Sequence, residues 1–130
     1  HVHIKRVATA QAASFVKIAV ETYRTGEDVI ATCKPLLYEF RTYTSRTIAL
    51  VKYHTEVEAY IREALAPAPS RSVRRVDVYR EEHQARVIVE RGTIAQFLGR
   101  KGMNAAVASK LTGYGLVLVD EADLGKTARA

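Results

Sequence analysis

Cysteine is nearly absent from this chain of 130 residues. Cys33 stands alone, so no internal disulfide can form, which agrees with a reducing compartment. No run of about 18 apolar residues occurs, so no membrane span and no membrane partner are expected. The opening stretch His1-Val2-His3-Ile4-Lys5-Arg6 lacks the apolar run of a secretory signal, and the expected location is cytoplasmic. The chain opens without Met, so further N-terminal sequence is expected upstream. His1, His3, His54 and His83 are scattered, and no Cys or His pair has metal-ligand spacing, so neither a metal nor a cofactor is implied. Glu81 and Glu82 sit in a polar loop and make no general-acid pair. Nothing argues for catalysis or for a small-molecule substrate. Gly125-Lys126-Thr127 resembles the end of a phosphate loop, but that pattern needs glycine at position 120, where Asp120 stands.

What the chain does have is positive charge. Twenty Lys and Arg against 14 Asp and Glu leave +6, with a pI near 9.6. Such a surplus favours anionic partners, nucleic acid first among them. Solubility alone explains a mild surplus equally well, so the placement of the cations matters more than their number. Apolar residues at 48% and charged residues at 26% are ordinary for a globular protein.

Periodicity divides the chain in two. Residues 2–8 and 15–21 alternate as strands, with a turn between them. Gly26-Glu27-Asp28 opens a short helix that Pro35 interrupts, residues 36–44 form a second short helix, and residues 46–53 a strand. Residues 55–65 are the clearest helix: Thr55 caps it, Glu58 completes a capping box, and Val57, Ile61, Ala64 and Leu65 share one face. Ala66-Pro67-Ala68-Pro69-Ser70 is a stiff linker. After it come strands at 73–79 and 85–90, helices from Thr93 and Met103 stopped by Gly99 and Gly113, and a strand at 114–119. Both halves thus give β-β-α-α-β, and Ile18-Ala19-Val20-Glu21 echoes Val87-Ile88-Val89-Glu90. The expected domains are 1–66 and 67–122, with a frayed tail at 123–130. The fold class is α+β, each unit a three-stranded sheet with helices on one face.

The informative string is Leu98-Gly99-Arg100-Lys101-Gly102-Met103-Asn104. Two glycines bracket two cations in a tight turn between two helices. Glycine permits unusual backbone angles and lets a sugar-phosphate strand approach the main chain. The next helix presents free N–H groups and the positive end of its dipole. A bare G-x-x-G string is weak, because an ordinary interhelical turn makes it too. Set between strand-helix and helix-strand, and carrying a basic pair, it matches the clamp of KH modules, which hold about four nucleotides of single-stranded RNA. The expected contacts are Gly99, Arg100, Lys101, Gly102 and Asn104, with Ile94, Leu98 and Val117 as a candidate apolar floor, though core packing is the better reading of Val117. Arg71, Arg74, Arg75 and Lys110 are secondary candidates, against the reading that they are merely solvated positions. Tyr38, Tyr43, Tyr53 and Tyr60 fit packing better than base stacking.

Residues 85–119 resemble the second KH domain of the NusA family of transcription termination and antitermination factors. The likeness rests on the clamp string and on Ala108-Ser109-Lys110-Leu111-Thr112-Gly113-Tyr114. Residues 57–68 resemble that family's connector between its first and second KH domains. A chain with only two KH domains is similar to the short archaeal form. The resemblance implies tandem KH domains of the prokaryotic, type II topology, and a role in transcription elongation, pausing or termination. Single-stranded RNA is the implied partner and RNA polymerase a further candidate. The first half departs from the pattern: Lys34-Pro35-Leu36-Leu37 stands where its own clamp belongs. That half is expected to lack an independent clamp. It either extends the surface through Lys34, Arg41 or Arg46 or serves only to orient the second module. Two rivals remain at this point: an adaptor that docks on RNA polymerase, and a KH protein of ribosome assembly or RNA processing.

Overall fold

The computed structural model describes residues 2–10, 15–22, 28–43 and 47–124. The turn at 11–14, Gly26, Glu27, Arg46 and the Gly125-Lys126-Thr127 motif lie outside the described residues.

Two three-stranded sheets carry the fold. The first runs β1 (Val2–Ala10), β2 (Phe15–Thr22), β3 (Thr47–Lys52) in that spatial order. The second runs β4 (Val73–Tyr79), β5 (Gln84–Val89), β6 (Gly115–Asp120). In each, the first pair is antiparallel and the second parallel. The two echoing sequences lie along β2 and β5, the central strands, where apolar residues can be covered on both sides. A parallel pair needs a helical crossover. In the first sheet it is α1 (Val29–Tyr43); in the second it is α3 (Ile94–Leu98) followed by α4 (Met103–Thr112). Helix α2 (Val57–Ala64) joins the halves. The architecture is α+β, in keeping with tandem KH units of type II topology.

The halves share one core. Alternation along β2 puts Phe15, Lys17 and Ala19 on one face and Val16, Ile18 and Val20 on the other. The second face packs Ile18 and Val20 with Ile30 and Cys33 of α1 and with Leu50. Ala19 instead joins Ala8 and Val51 in a cluster with Tyr60, Ile61 and Ala64 of α2 and with Val107 and Leu111 of α4. The first sheet is therefore sandwiched between its own helix and the second half.

Three local expectations are corrected. Pro35 does not split α1, which runs unbroken through it, so among the described residues the first half is β-β-α-β. A proline inside a helix costs roughly 3 kcal/mol. Here Pro35 is exposed, as is Ala31, whose carbonyl loses its partner and can take water instead. The buried stripe of Ile30 and Cys33 holds the helix in place. The capping box also does not form. Helix α2 starts at Val57, its cap residue is Glu56, and Glu58 instead pairs with Arg62 at 3.2 Å. Val117, for which core packing is expected, is 53% exposed. Leu116 and Leu118 pack on the core, so strand alternation turns Val117 to the opposite face of the sheet.

Among the described tyrosine side chains, Tyr53, Tyr60 and Tyr114 pack on the core. Tyr53 and Tyr60 meet edge to face at 4.9 Å, and the buried Tyr60 hydroxyl donates to the Leu111 carbonyl. Burial pushes that phenol up to about 12. Tyr38 is exposed.

Candidate nucleic-acid interface

Helix α3 ends at Gly99, with φ +74° and ψ 179°, a combination essentially confined to glycine. Its N–H donates to the Ala95 carbonyl, and its own carbonyl accepts from Gly102 N–H, both at 3.0 Å. Lys101 (φ +56°) and Gly102 (φ +73°) then take two successive left-handed steps into α4. The two glycines have different reasons to be there. A Cβ on Gly99 would lie 2.6 Å from the Asn104 Cβ, whereas one on Gly102 would meet nothing within 4 Å. Gly99 is required by conformation and by space, Gly102 by conformation alone.

Arg100 and Lys101 ride on this turn, both exposed, and among the described residues neither side chain has a hydrogen-bond or ion-pair partner. Helix α4 has no side-chain cap on its first turn. The Gly102 and Met103 N–H groups are taken by the Gly99 and Arg100 carbonyls, so what α4 sets beside the two unpaired cations is the positive end of its dipole, which favours phosphate.

The Asn104 side chain is engaged within the protein. It is 5% exposed, and its amide nitrogen donates to Leu65 O at 2.8 Å and Phe97 O at 2.9 Å. Its oxygen accepts from Lys17 Nζ at 2.6 Å. The side chain holds the turn from beneath, and no free group remains for a ligand. Lys17 itself, fully buried, also donates to the carbonyls of Ala64 and Ala66. Burial pushes its ammonium down to about 7.

A groove of about 190 Å³ opens beside the turn, lined by Phe15, Pro67, Gln96, Gly99, Arg100 and Met103, with Asn104 at its base. Phe15 and Pro67 also line a larger groove of about 380 Å³ in the first half, with Ile30, Leu37 and Lys34 along α1. The two thus adjoin in one trough across the junction. Ile94 is half-buried against the core and Leu98 is 40% exposed; neither lines the trough.

A family model described as the NusA-like second KH domain matches residues 57–126, just over half of the chain. The chain belongs to the NusA family. The match takes in α2 as well as the Gly99–Gly102 turn. Two curated relatives are similar over the same share. The transcription termination/antitermination protein NusA of Halalkalibacterium halodurans is 32% identical over 76 residues, 58% of this chain and 19% of the relative. That of Rickettsia conorii is 27% identical over 74 residues, 57% of this chain and 15% of the relative. The chain thus spans under a fifth of the length of the curated relatives it matches. Among solved structures, the crystal structure of APE1850 superposes with a TM-score of 0.59 at 17% identity, covering 92% of this chain and 88% of that one, a likeness of fold.

Within this NusA-like module the secondary cations are mostly engaged. Arg74 pairs with Glu90 and Glu121, and Arg75 with Asp77. Lys110 reaches across to the Thr9 carbonyl at 3.2 Å, tying α4 to β1. Arg71 is exposed, and among the described residues it has no bond or ion pair. Lys34 is exposed at the rim of the larger groove. Sequence reasoning missed Phe15, Pro67 and Met103, since the junction that brings them together is a tertiary feature. Lys17 did leave a signal: a lysine inside the apolar run Phe15-Val16-Lys17-Ile18-Ala19-Val20 of a central strand.

Proposed function

We propose that this NusA-family chain binds single-stranded RNA at Gly99–Gly102 and acts, without catalysing a reaction, in transcription elongation and termination. The observation that carries the reading is the pair of unpaired cations, Arg100 and Lys101, on a glycine turn beside the uncapped first turn of α4. Arg74 and Arg75 are matched by carboxylates and Lys110 is held by the Thr9 carbonyl, whereas Arg100 and Lys101 stand side by side with no side-chain partner among the described residues. Arg100 and Lys101 hold phosphates, and the positive end of the α4 dipole adds to their field. Bases leaving the clamp meet apolar surface at Met103, Phe15 and Pro67 and can follow the trough toward Lys34. The first half then extends the surface without a clamp of its own. One clamp engages few nucleotides and binds weakly, so working affinity comes from that extension or from a second partner, RNA polymerase being the candidate.

Fluorescence-anisotropy titration of short single-stranded RNAs tests this. Arg100→Asp/Lys101→Asp should weaken binding by about a hundredfold or more, since charge-assisted bonds contribute roughly 1.5–3 kcal/mol each. The slope of log K against log[salt] should shrink by about 1.4, roughly 0.7 for each of two phosphates. Circular dichroism checks that the variant folds. A folded double variant that binds as the wild type does would place the RNA elsewhere. If the wild type itself shows no binding, docking on RNA polymerase becomes the leading reading.

A further inference from the structure

The first half carries no G-x-x-G string, yet one of its residues reaches the foot of the clamp in the second. Lys17 lies on β2 with its side chain fully buried, and its three acceptors all belong to α2, the turn after it, or α4: Ala64 O, Ala66 O and Asn104 Oδ1. Lys17 also lies 5.8 Å from the Phe15 ring centroid, at the wall of the trough.

An ammonium can only donate. Facing Lys17, the Asn104 carboxamide must therefore present its oxygen, which turns its nitrogen toward Phe97 O and Leu65 O. Phe97 lies in the last turn of α3 and Asn104 in the first turn of α4, so this one amide ties together the two helices that flank the clamp. The same side chain supplies the Cβ against which Gly99 packs. The two carbonyls hold the nitrogen side of this amide, and protonated Lys17 holds its oxygen side from the other half of the molecule.

We infer that Lys17 is a positioning residue for the clamp, fixing the Asn104 carboxamide and through it the spacing of α3 and α4 around Gly99–Gly102. Lys17 touches no RNA. The clampless half thereby shapes the clamp of the other, and the domain junction becomes part of the binding site. The inference rests on the RNA-clamp reading above.

A double-mutant cycle on RNA affinity separates the two claims. Lys17→Met keeps an unbranched apolar side chain, one atom shorter, and removes its donors. In the wild-type background it should weaken single-stranded RNA binding about tenfold. In an Arg100→Ala/Lys101→Ala background it should weaken binding less than twofold, because there is no longer a clamp to position. A lysine that only holds the fold together would give equal losses in both. Asn104→Ala, measured in parallel, cuts the same relay from its other end and should show the same background dependence, so a Lys17 variant that does not fold leaves the test standing. Amide hydrogen exchange supplies a second readout: the Gly102 N–H, bonded to Gly99 O, should exchange faster in both single variants. Equal losses in both backgrounds, or unchanged RNA affinity in Asn104→Ala, would overturn the inference. If the Arg100→Ala/Lys101→Ala protein binds RNA as the wild type does, the clamp reading itself is what fails.

Discussion

Gly99→Ala should destabilise the protein by about 4 kcal/mol, and Gly102→Ala by only about 1–2 kcal/mol, although both glycines belong to one four-residue turn. The smaller figure is the cost of a left-handed L-residue, with open space around the new methyl group. Gly99 carries two penalties. Its φ and ψ lie in a region that costs roughly 1–3 kcal/mol for any other residue. The added Cβ would also sit 2.6 Å from the Asn104 Cβ, and overpacking of this kind costs about 1–3 kcal/mol. Asn104 cannot yield, being held by Lys17, Leu65 and Phe97. Urea unfolding of the two variants measures the contrast. Equal, small losses would mean that Asn104 does not underlie the turn as described.

The second large effect concerns Lys17 and pH. Burial lowers its folded-state pKa to about 7, against 10.5 when exposed. Between these values the unfolded chain binds more protons than the folded one, so stability rises with pH across that window. Below about pH 7 the full cost of burying the ammonium is present; above about 10.5 it is gone. From pH 7 to pH 9 the gain should be about 2 kcal/mol. Other groups titrate as well, so the diagnostic quantity is the stability difference between the wild type and Lys17→Met, which should shift by that amount in favour of the wild type. The variant leaves unmet the acceptors that Lys17 serves, three for the ammonium and two for the neutral amine, each roughly 1–3 kcal/mol, so a destabilised protein is expected at both pH values. A difference that stays flat from pH 7 to pH 9 would show that Lys17 does not titrate there.

The second half was the more legible part of the chain. Its strands are rich in β-branched residues between polar turns, and Gly99 and Gly113 stop their helices where the left-handed or glycine-only conformations are needed. The first half misled where a local rule met tertiary burial. Pro35 is a helix breaker by propensity, but the buried stripe through Cys33 outweighs it. Thr55 and Glu58 have the spacing of a capping box, yet Arg62 one turn on is a better partner for the carboxylate. At the candidate site, sequence marked the glycines and cations, because their chemistry is local. It gave no sign that the Asn104 side chain is buried and bonded to a lysine 87 residues away. It also passed over Phe15 and Pro67, which become neighbours of the clamp only when the two halves pack.

The most direct test of the central claim is amide chemical-shift mapping of the labelled protein during titration with a short single-stranded RNA. The account predicts that the largest changes fall on residues 99–104, with smaller ones along the trough at Phe15 and Lys34. Changes centred instead on the far strand β1 or on the outer face around Arg86 and Val117, with the clamp amides unmoved, would contradict it.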